Sequence, residues 1–239
     1  SVELFGDNVC YMQKWDPKGE FESITYKETL ADVNGLGTWM MDKGLTGEKI
    51  AVIGPNCYQW CITYLAVTCG IGCIVPLDKE LSAEELKSQI IRSEANAVIF
   101  DRKHQDVFKQ IMAGGDTQLE ALINMDADEE TDGVYALMQV KEEGKKLIAG
   151  GNMDYINAEV DNEVMSILIF TSGTTGKPKG VMLNQKNLCA ELMIAPTIFE
   201  LRSDDVYLSF LPLHHTYECT CGFLMGLYKG SAVAFCQGL

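Results

Sequence analysis

The 239-residue chain carries 19 Lys and Arg against 34 Asp and Glu, a net charge of −15, with 47% apolar and 22% charged residues. That length and balance describe a globular protein with a well-buried core. The acidic excess repels phosphate backbones and anionic lipid, which excludes a broad nucleic-acid interface but not a local polyanion nest of amides and lysines.

In chain order, the apolar spacing first predicts a helix over 26–44, with Leu30, Val33, Leu36, Met40 and Met41 on one stripe and Gly44 as its stop. Residues 49–54 read as a strand, 58–69 as a helix and 73–78 as a strand. The uncharged run 50–77 is longer than a bilayer requires. Gly54-Pro55-Asn56, Gly70, Gly72 and Pro76 interrupt it, so strand, turn, helix and strand is the better reading. Ser82 and Glu85 have capping-box spacing and open a helix to Ser93. Then follow a strand at 95–101, a helix at 104–112, a strand at 119–126 and an acidic solvated loop at 126–132. A helix at 134–147 precedes an aperiodic stretch, 148–163, expected to link sub-regions 1–160 and 161–239. The pattern resumes with a strand at 164–170, a helix at 187–199, a strand at 206–210, a helix at 220–228 and a strand at 232–235. Short apolar strands alternating with amphipathic helices predict an α/β fold of repeated βαβ units, forming mainly parallel sheets covered by helices.

The nine cysteines are odd in number and most lie in apolar segments, which fits free thiols in a reducing cytoplasm. The start, "SVELFGDNVC", has no basic region followed by an apolar one, so no signal peptide is visible.

Chemistry concentrates in one stretch, "SILIFTSGTTGKPKGVML". After Phe170 come Thr171, Ser172, Gly173, Thr174, Thr175, Gly176, Lys177, Pro178, Lys179 and Gly180. Glycines let successive amides converge on an anion, hydroxyls add neutral donors, and the two lysines add charge-assisted ones. These are the components of a polyphosphate site. The P-loop pattern fails, because Thr171 stands where its first Gly would be and Pro178 follows Lys177. His214, His215, Cys219 and Cys221 form a second cluster. Their spacing is not that of a zinc finger or ribbon, so zinc is the weaker reading.

"TSGTTGKPKGV" resembles the signature of the adenylate-forming (AMP-binding) superfamily, which includes acyl-CoA synthetases, luciferases and the adenylation domains of peptide synthetases. Residues 24–45 and 49–86 resemble its N-terminal region, and "YLSFLPLHHTYE" its P-L-x-H segment. Glu218, three residues after His215, and "VAFCQG" resemble the long-chain fatty acyl-CoA synthetase branch. The resemblance implies ATP-dependent activation of a fatty acid to an acyl-adenylate, then transfer to coenzyme A with release of AMP and pyrophosphate. By the same resemblance, Thr171, Ser172, Gly173, Thr174, Thr175, Gly176, Lys177 and Lys179 would hold the phosphates, with Thr171 also touching Mg²⁺. Lys177, His215 and Glu218 are candidate catalytic residues, and for Glu218 a helix-capping role is an equal alternative. His214 is expected to be a bystander.

An aromatic-Gly-x-Thr-Glu segment, a ribose-binding Asp and a C-terminal lysine of the family have no counterpart in the sequence. The expectation is therefore that residues 1–239 form the N-terminal portion of the AMP-binding domain, inactive alone. Another carboxylate (aryl, short-chain or amino acid) and a non-catalytic nucleotide-binding module are the competing readings. Small molecules are the expected partners; peripheral membrane contact of the full-length enzyme and the oligomeric state stay open.

Overall fold

The computed structural model describes residues 1–171, 178–198 and 200–236. A short helix α1 (Val2–Phe5) leads into a hairpin of β1 (Val9–Gln13) and β2 (Glu22–Thr25). The first long helix, α2 (Tyr26–Asp42), starts at a capping box in which the Thr25 hydroxyl accepts from the Glu28 amide and the Glu28 carboxylate accepts from the Thr25 amide. It ends before Gly44, whose φ of 79° gives the left-handed turn that a side chain resists. Leu36 and Met40 are buried as the stripe predicts. Leu30 is 42% exposed, because it falls on the flank of the helix rather than its core face.

The central βαβ units then follow. They are β3 (Lys49–Ile53), α3 (Tyr58–Ala66), β4 (Cys73–Pro76), α4 (Ala83–Ser93), β5 (Ala97–Phe100), α5 (Gln105–Ala113) and β6 (Ala121–Asn124). α3 gives way to a π-helical stretch, Val67–Ile71, so the α-helix predicted to 69 stops three residues early. The Ser82–Glu85 capping box opens α4 as expected. The predicted helix at 134–147 begins later, since Tyr135–Ala136 pairs as the short strand β7 before α6 (Leu137–Ala149). After a non-regular stretch come β8 (Met165–Thr171), β9 (Lys179–Asn184), α7 (Gln185–Ile194), β10 (Val206–Ser209), α8 (Met225–Lys229) and β11 (Ala232–Phe235). α7 ends before the predicted 199, giving way to a 3₁₀ turn at Ala195–Thr197 with Pro196 inside it. A π-helical stretch, Glu218–Leu224, precedes α8, so the predicted helix at 220–228 starts two residues earlier and in a wider winding.

Among the described residues the strands form two sheets. One has the order β7-β6-β5-β3-β4-β8-β9, parallel except for β9, which runs antiparallel to β8. The other has the order β10-β11-β1-β2, with β2 antiparallel. In the larger sheet the two-residue period divides the core between both faces. Ile50, Val52, Ile74 and Ile99 join the cluster under α2, α3 and α6, while Ala51, Ile53, Val75 and Phe100 join the one under α4 and α5. The sub-regions 1–160 and 161–239 expected from the sequence interleave: β8 pairs with β4, and β11 with β1.

Helices α2 and α6 cross backbone to backbone. A Cβ on Gly35 would lie 2.5 Å from the Lys141 carbonyl oxygen, and one on Gly144 would run into the Gly35 carbonyl. Beside this crossing Asp32 is buried with Lys141 Nζ at 2.8 Å, Lys145 Nζ at 2.6 Å and the Tyr58 hydroxyl at 2.8 Å. Burial works to raise its pKa, but the two lysines and the hydroxyl hold the carboxyl below its ordinary value. No helix of the described residues is long and apolar enough to cross a membrane.

Candidate functional site

Parallel strands end together, so the C-terminal ends of β3, β4, β5, β6 and β8 lie along one edge of the larger sheet. Those of β1, β10 and β11 lie along one edge of the smaller. Loops leaving such edges carry ligand-binding groups in α/β proteins. Here the two edges meet at a cleft. One lobe, of about 1090 Å³, is lined by residues that follow β3, β5 and β6, among them Pro55, Asp101, Arg102 and Asp126. An adjoining lobe of about 470 Å³ shares Trp15, Pro55, Lys79 and Asp126 with it and reaches Phe210 and Phe235 of the smaller sheet. The side chain of Gln13, at the end of β1, lines the smaller lobe and ties the smaller sheet to the start of α3. Its Oε1 accepts from the Tyr58 amide at 2.6 Å and its Nε2 donates to Gln59 at 3.1 Å.

Thr171 and Lys179 are directly opposed in the β8–β9 hairpin, and both are exposed. The Thr171 hydroxyl donates to the Lys179 carbonyl at 3.5 Å. The stem thus holds the two ends of the Gly-, Thr- and Lys-rich stretch next to each other. The expected phosphate-binding residues Ser172, Gly173, Thr174, Thr175, Gly176 and Lys177 lie outside the described residues.

The histidine segment follows β10 and is fastened from the other sheet by Asn56. Its Nδ2 donates to the Leu211 carbonyl at 2.6 Å and to the Ser209 hydroxyl at 2.9 Å, and its Oδ1 accepts from the Leu213 amide at 3.1 Å. Ser209 in turn donates to the Glu218 carboxylate at 2.7 Å. Glu218 is buried with its carboxyl group against Gly222, where a Cβ would sit 2.6 Å away. Burial raises its pKa, opposed by the Ser209 hydroxyl. Its carboxylate therefore stands within the packed turn, at the first residue of the π-helical stretch.

His214 and His215 differ in burial although their rings lie side by side, with centroids 4.1 Å apart. His215 is exposed, and its amide donates to the Pro212 carbonyl at 3.0 Å. The neighbouring ring of His214 turns inward, toward an apolar crevice lined by Ile169 of β8, Leu183 of β9 and Leu213. Its Nε2 lies 3.7 Å from Asp78 Oδ2, beyond hydrogen-bond reach. Burial pushes the His214 pKa below the ordinary value, with Asp78 acting the other way. This crevice places the histidine segment against the hairpin that carries Thr171 and Lys179.

Asn56, Ser209 and Asp78 shape this region and were not singled out as sites by the sequence. Asn56 was visible only as part of a turn signal, and nothing local marks the other two.

Cys57 and Cys219, both near the site, have thiols pushed up by burial to about 12, so they are not nucleophiles at neutral pH. For Mg²⁺, the oxygen that the sequence offers among the described residues is the Thr171 hydroxyl. No group of three or more His, Cys, Asp or Glu among the described residues could hold a metal. A magnesium ion at a nucleotide site keeps several waters and takes most of its other oxygens from the phosphates, so it needs few protein ligands. The Thr171 hydroxyl could supply one of them, and the charge neutralisation that such an ion would bring is the chemistry it would add.

The family described as AMP-binding enzyme matches residues 1–239. Long-chain-fatty-acid–CoA ligase 5 of Mus musculus is 29% identical over 238 residues, covering 90% of this chain and 34% of the relative. A long-chain-fatty-acid-CoA ligase from Archaeoglobus fulgidus superposes with a TM-score of 0.82 at 21% identity, over 100% of this chain and 45% of that one. ATP-bound MatB from Rhodopseudomonas palustris gives 0.77 at 23% identity, over 100% of this chain and 45% of that one. The last two likenesses show the fold. The chain spans about a third of the length of the curated relatives it matches. With the family pattern running from end to end, over a sheet architecture shared with CoA ligases, the chain belongs to the AMP-binding enzyme family of adenylate-forming ligases.

Proposed function

We propose that the protein containing this chain activates a long-chain fatty acid with ATP, releases pyrophosphate, and passes the acyl group from AMP to coenzyme A. The first step brings carboxylate and triphosphate together and expels a third anion. Positioning and charge neutralisation are its main demands, rather than a side-chain nucleophile. The observation that carries the reading is the hairpin stem: Thr171 and Lys179 face each other at the end of β8, on the edge where the sheet's ligand-bearing loops emerge. From that stem, Thr171, Ser172, Gly173, Thr174, Thr175, Gly176, Lys177 and Lys179 would donate to the phosphate oxygens, with Lys177 supplying charge as the leaving group departs. His215, exposed beside the crevice, would border the path of the acyl group. Glu218 would act through Ser209 and Asn56 to hold that segment in place. Residues 1–239 would form the N-terminal portion of the AMP-binding domain, working in the cytoplasm.

The fatty-acid reading leans on Glu218 and the Phe235-Cys236-Gln237-Gly238 sequence, and on relatives that bear that name. It is tested by trapping activated acyl groups with hydroxylamine, using the full-length protein, ATP, and a panel of fatty acids of graded length with aryl and short-chain acids beside them. Hydroxamate from the long-chain acids supports it. Hydroxamate from aryl or short-chain acids alone replaces the substrate, and none from any acid removes the ligase reading.

A further inference from the structure

The loop of residues 77–81, between β4 and α4, lies between the two sheet edges, with one histidine on each side of it. On one side Asp78 faces His214. On the other, His104 closes the 3₁₀ turn Arg102–His104 after β5, with Nδ1 on the Asp101 carboxylate and Nε2 3.3 Å from the Lys79 carbonyl. Neither partner can donate. A carboxylate and a carbonyl both demand an N–H from the ring, and a neutral imidazole has one N–H, so both contacts are satisfied together only by the imidazolium.

We propose that His104, charged and held between Asp101 and the Lys79 carbonyl, is a latch that fixes the 77–81 loop at the cleft and lets it go when the ring loses its proton. Asp101 is anchored at the end of β5 and is 6% exposed, so the fixed end of the latch is rigid. Among the described residues the loop's other hydrogen bonds are those of its own turn and its root. Glu80 and Leu81 amides donate to Asp78, and Leu77 donates to the Val52 carbonyl. The charged groups sharing this part of the cleft with His104 are Lys79 and Glu80 from the loop, Arg102 and Lys103 from its own turn, and Asp126 and Asp128 from the segment after β6. Phe108 of α5 packs against its ring. The hydrogen bond that the ring donates to Asp101 raises the His104 pKa, burial and Lys103 opposing it. A raised folded-state value means that the stabilisation is fully present below the ordinary histidine value of about 6.5 and is lost as pH rises through His104's own. Release would free Lys79, which lines both lobes of the cleft, and would relax Asp78 away from His214. This holds whichever carboxylate the protein activates.

The test is NMR on the 239-residue chain, following the His104 ring signals and amide exchange at Lys79, Glu80 and Leu81 from pH 5.5 to 8.5, with intrinsic exchange rates divided out. Two results are expected of the unmodified chain. His104 titrates above 6.5, and protection of the loop amides falls about tenfold through the same midpoint, the loss of one charge-assisted hydrogen bond. Asp101→Asn should bring both midpoints down together, and His104→Gln should leave the loop's protection flat in pH. A ring that titrates at or below 6.5 overturns the proposal. So does loop protection that ignores the ring's titration in the unmodified chain, a result that requires no variant to fold.

Discussion

Replacing Asn56 with Ala probes how the two halves of the site are held together. Three hydrogen bonds vanish, at 2.6, 2.9 and 3.1 Å, but they are not equal. The Leu211 carbonyl is exposed enough for water to take the place of Asn56, and Ser209 keeps its bond to Glu218. The amide of Leu213, a residue 2% exposed, loses its acceptor in a buried setting. An orphaned buried donor costs about 1–3 kcal/mol, and the two lesser bonds add a few tenths each. The expected loss is about 2 kcal/mol, which lowers Tm by about 4–8 °C for a chain of this size. Urea unfolding of Asn56→Ala beside Asn56→Asp separates the contributions. The aspartate keeps the acceptor for Leu213 while presenting an acceptor to the Leu211 carbonyl, so it should lie between wild type and alanine. A loss below about 0.5 kcal/mol for alanine would refute the view that this side chain fastens the histidine segment.

Gly144→Ala should lower stability by about 2–3 kcal/mol in chemical unfolding, since its methyl group meets the Gly35 carbonyl and the better helix propensity of alanine offsets less than about 1 kcal/mol; an unchanged midpoint would contradict the close crossing. Glu218 has a raised folded-state pKa, so it favours folding most below its unfolded value and loses that contribution as pH rises through the folded one. Unfolding free energies of wild type and Glu218→Gln, measured from pH 4 to 8, should therefore shift toward the glutamine variant as pH increases, and a pH-independent difference would count against the burial account.

The sequence was most informative where the signal is local. The short apolar runs at 49–53 and 97–100 placed two central strands, and Ser82 with Glu85 placed the start of α4 to the residue. It failed where pairing is distant. Strand β1, "VCYMQ", is recognisable mainly by β11, more than 200 residues away, and β9 begins with Lys179 and Gly180 and lies at a sheet edge, so neither was predicted. The two adjacent histidines illustrate the same limit. Their rings touch, yet one is half-buried and the other exposed, because Pro212 and the distant Asn56 set the backbone, and no local pattern records that. Leu30 shows the converse: helical spacing alone overestimated the width of the buried stripe.

The central claim is that the segment from Thr171 to Lys179 engages the triphosphate of ATP. It is tested most directly by titrating ATP, and adenosine as a control, into the full-length protein and its Lys177→Ala variant by calorimetry. A lysine giving a charge-assisted bond to phosphate predicts that Kd for ATP rises about tenfold or more in the variant while adenosine binding is unchanged. Equal ATP affinities in the two proteins would contradict it.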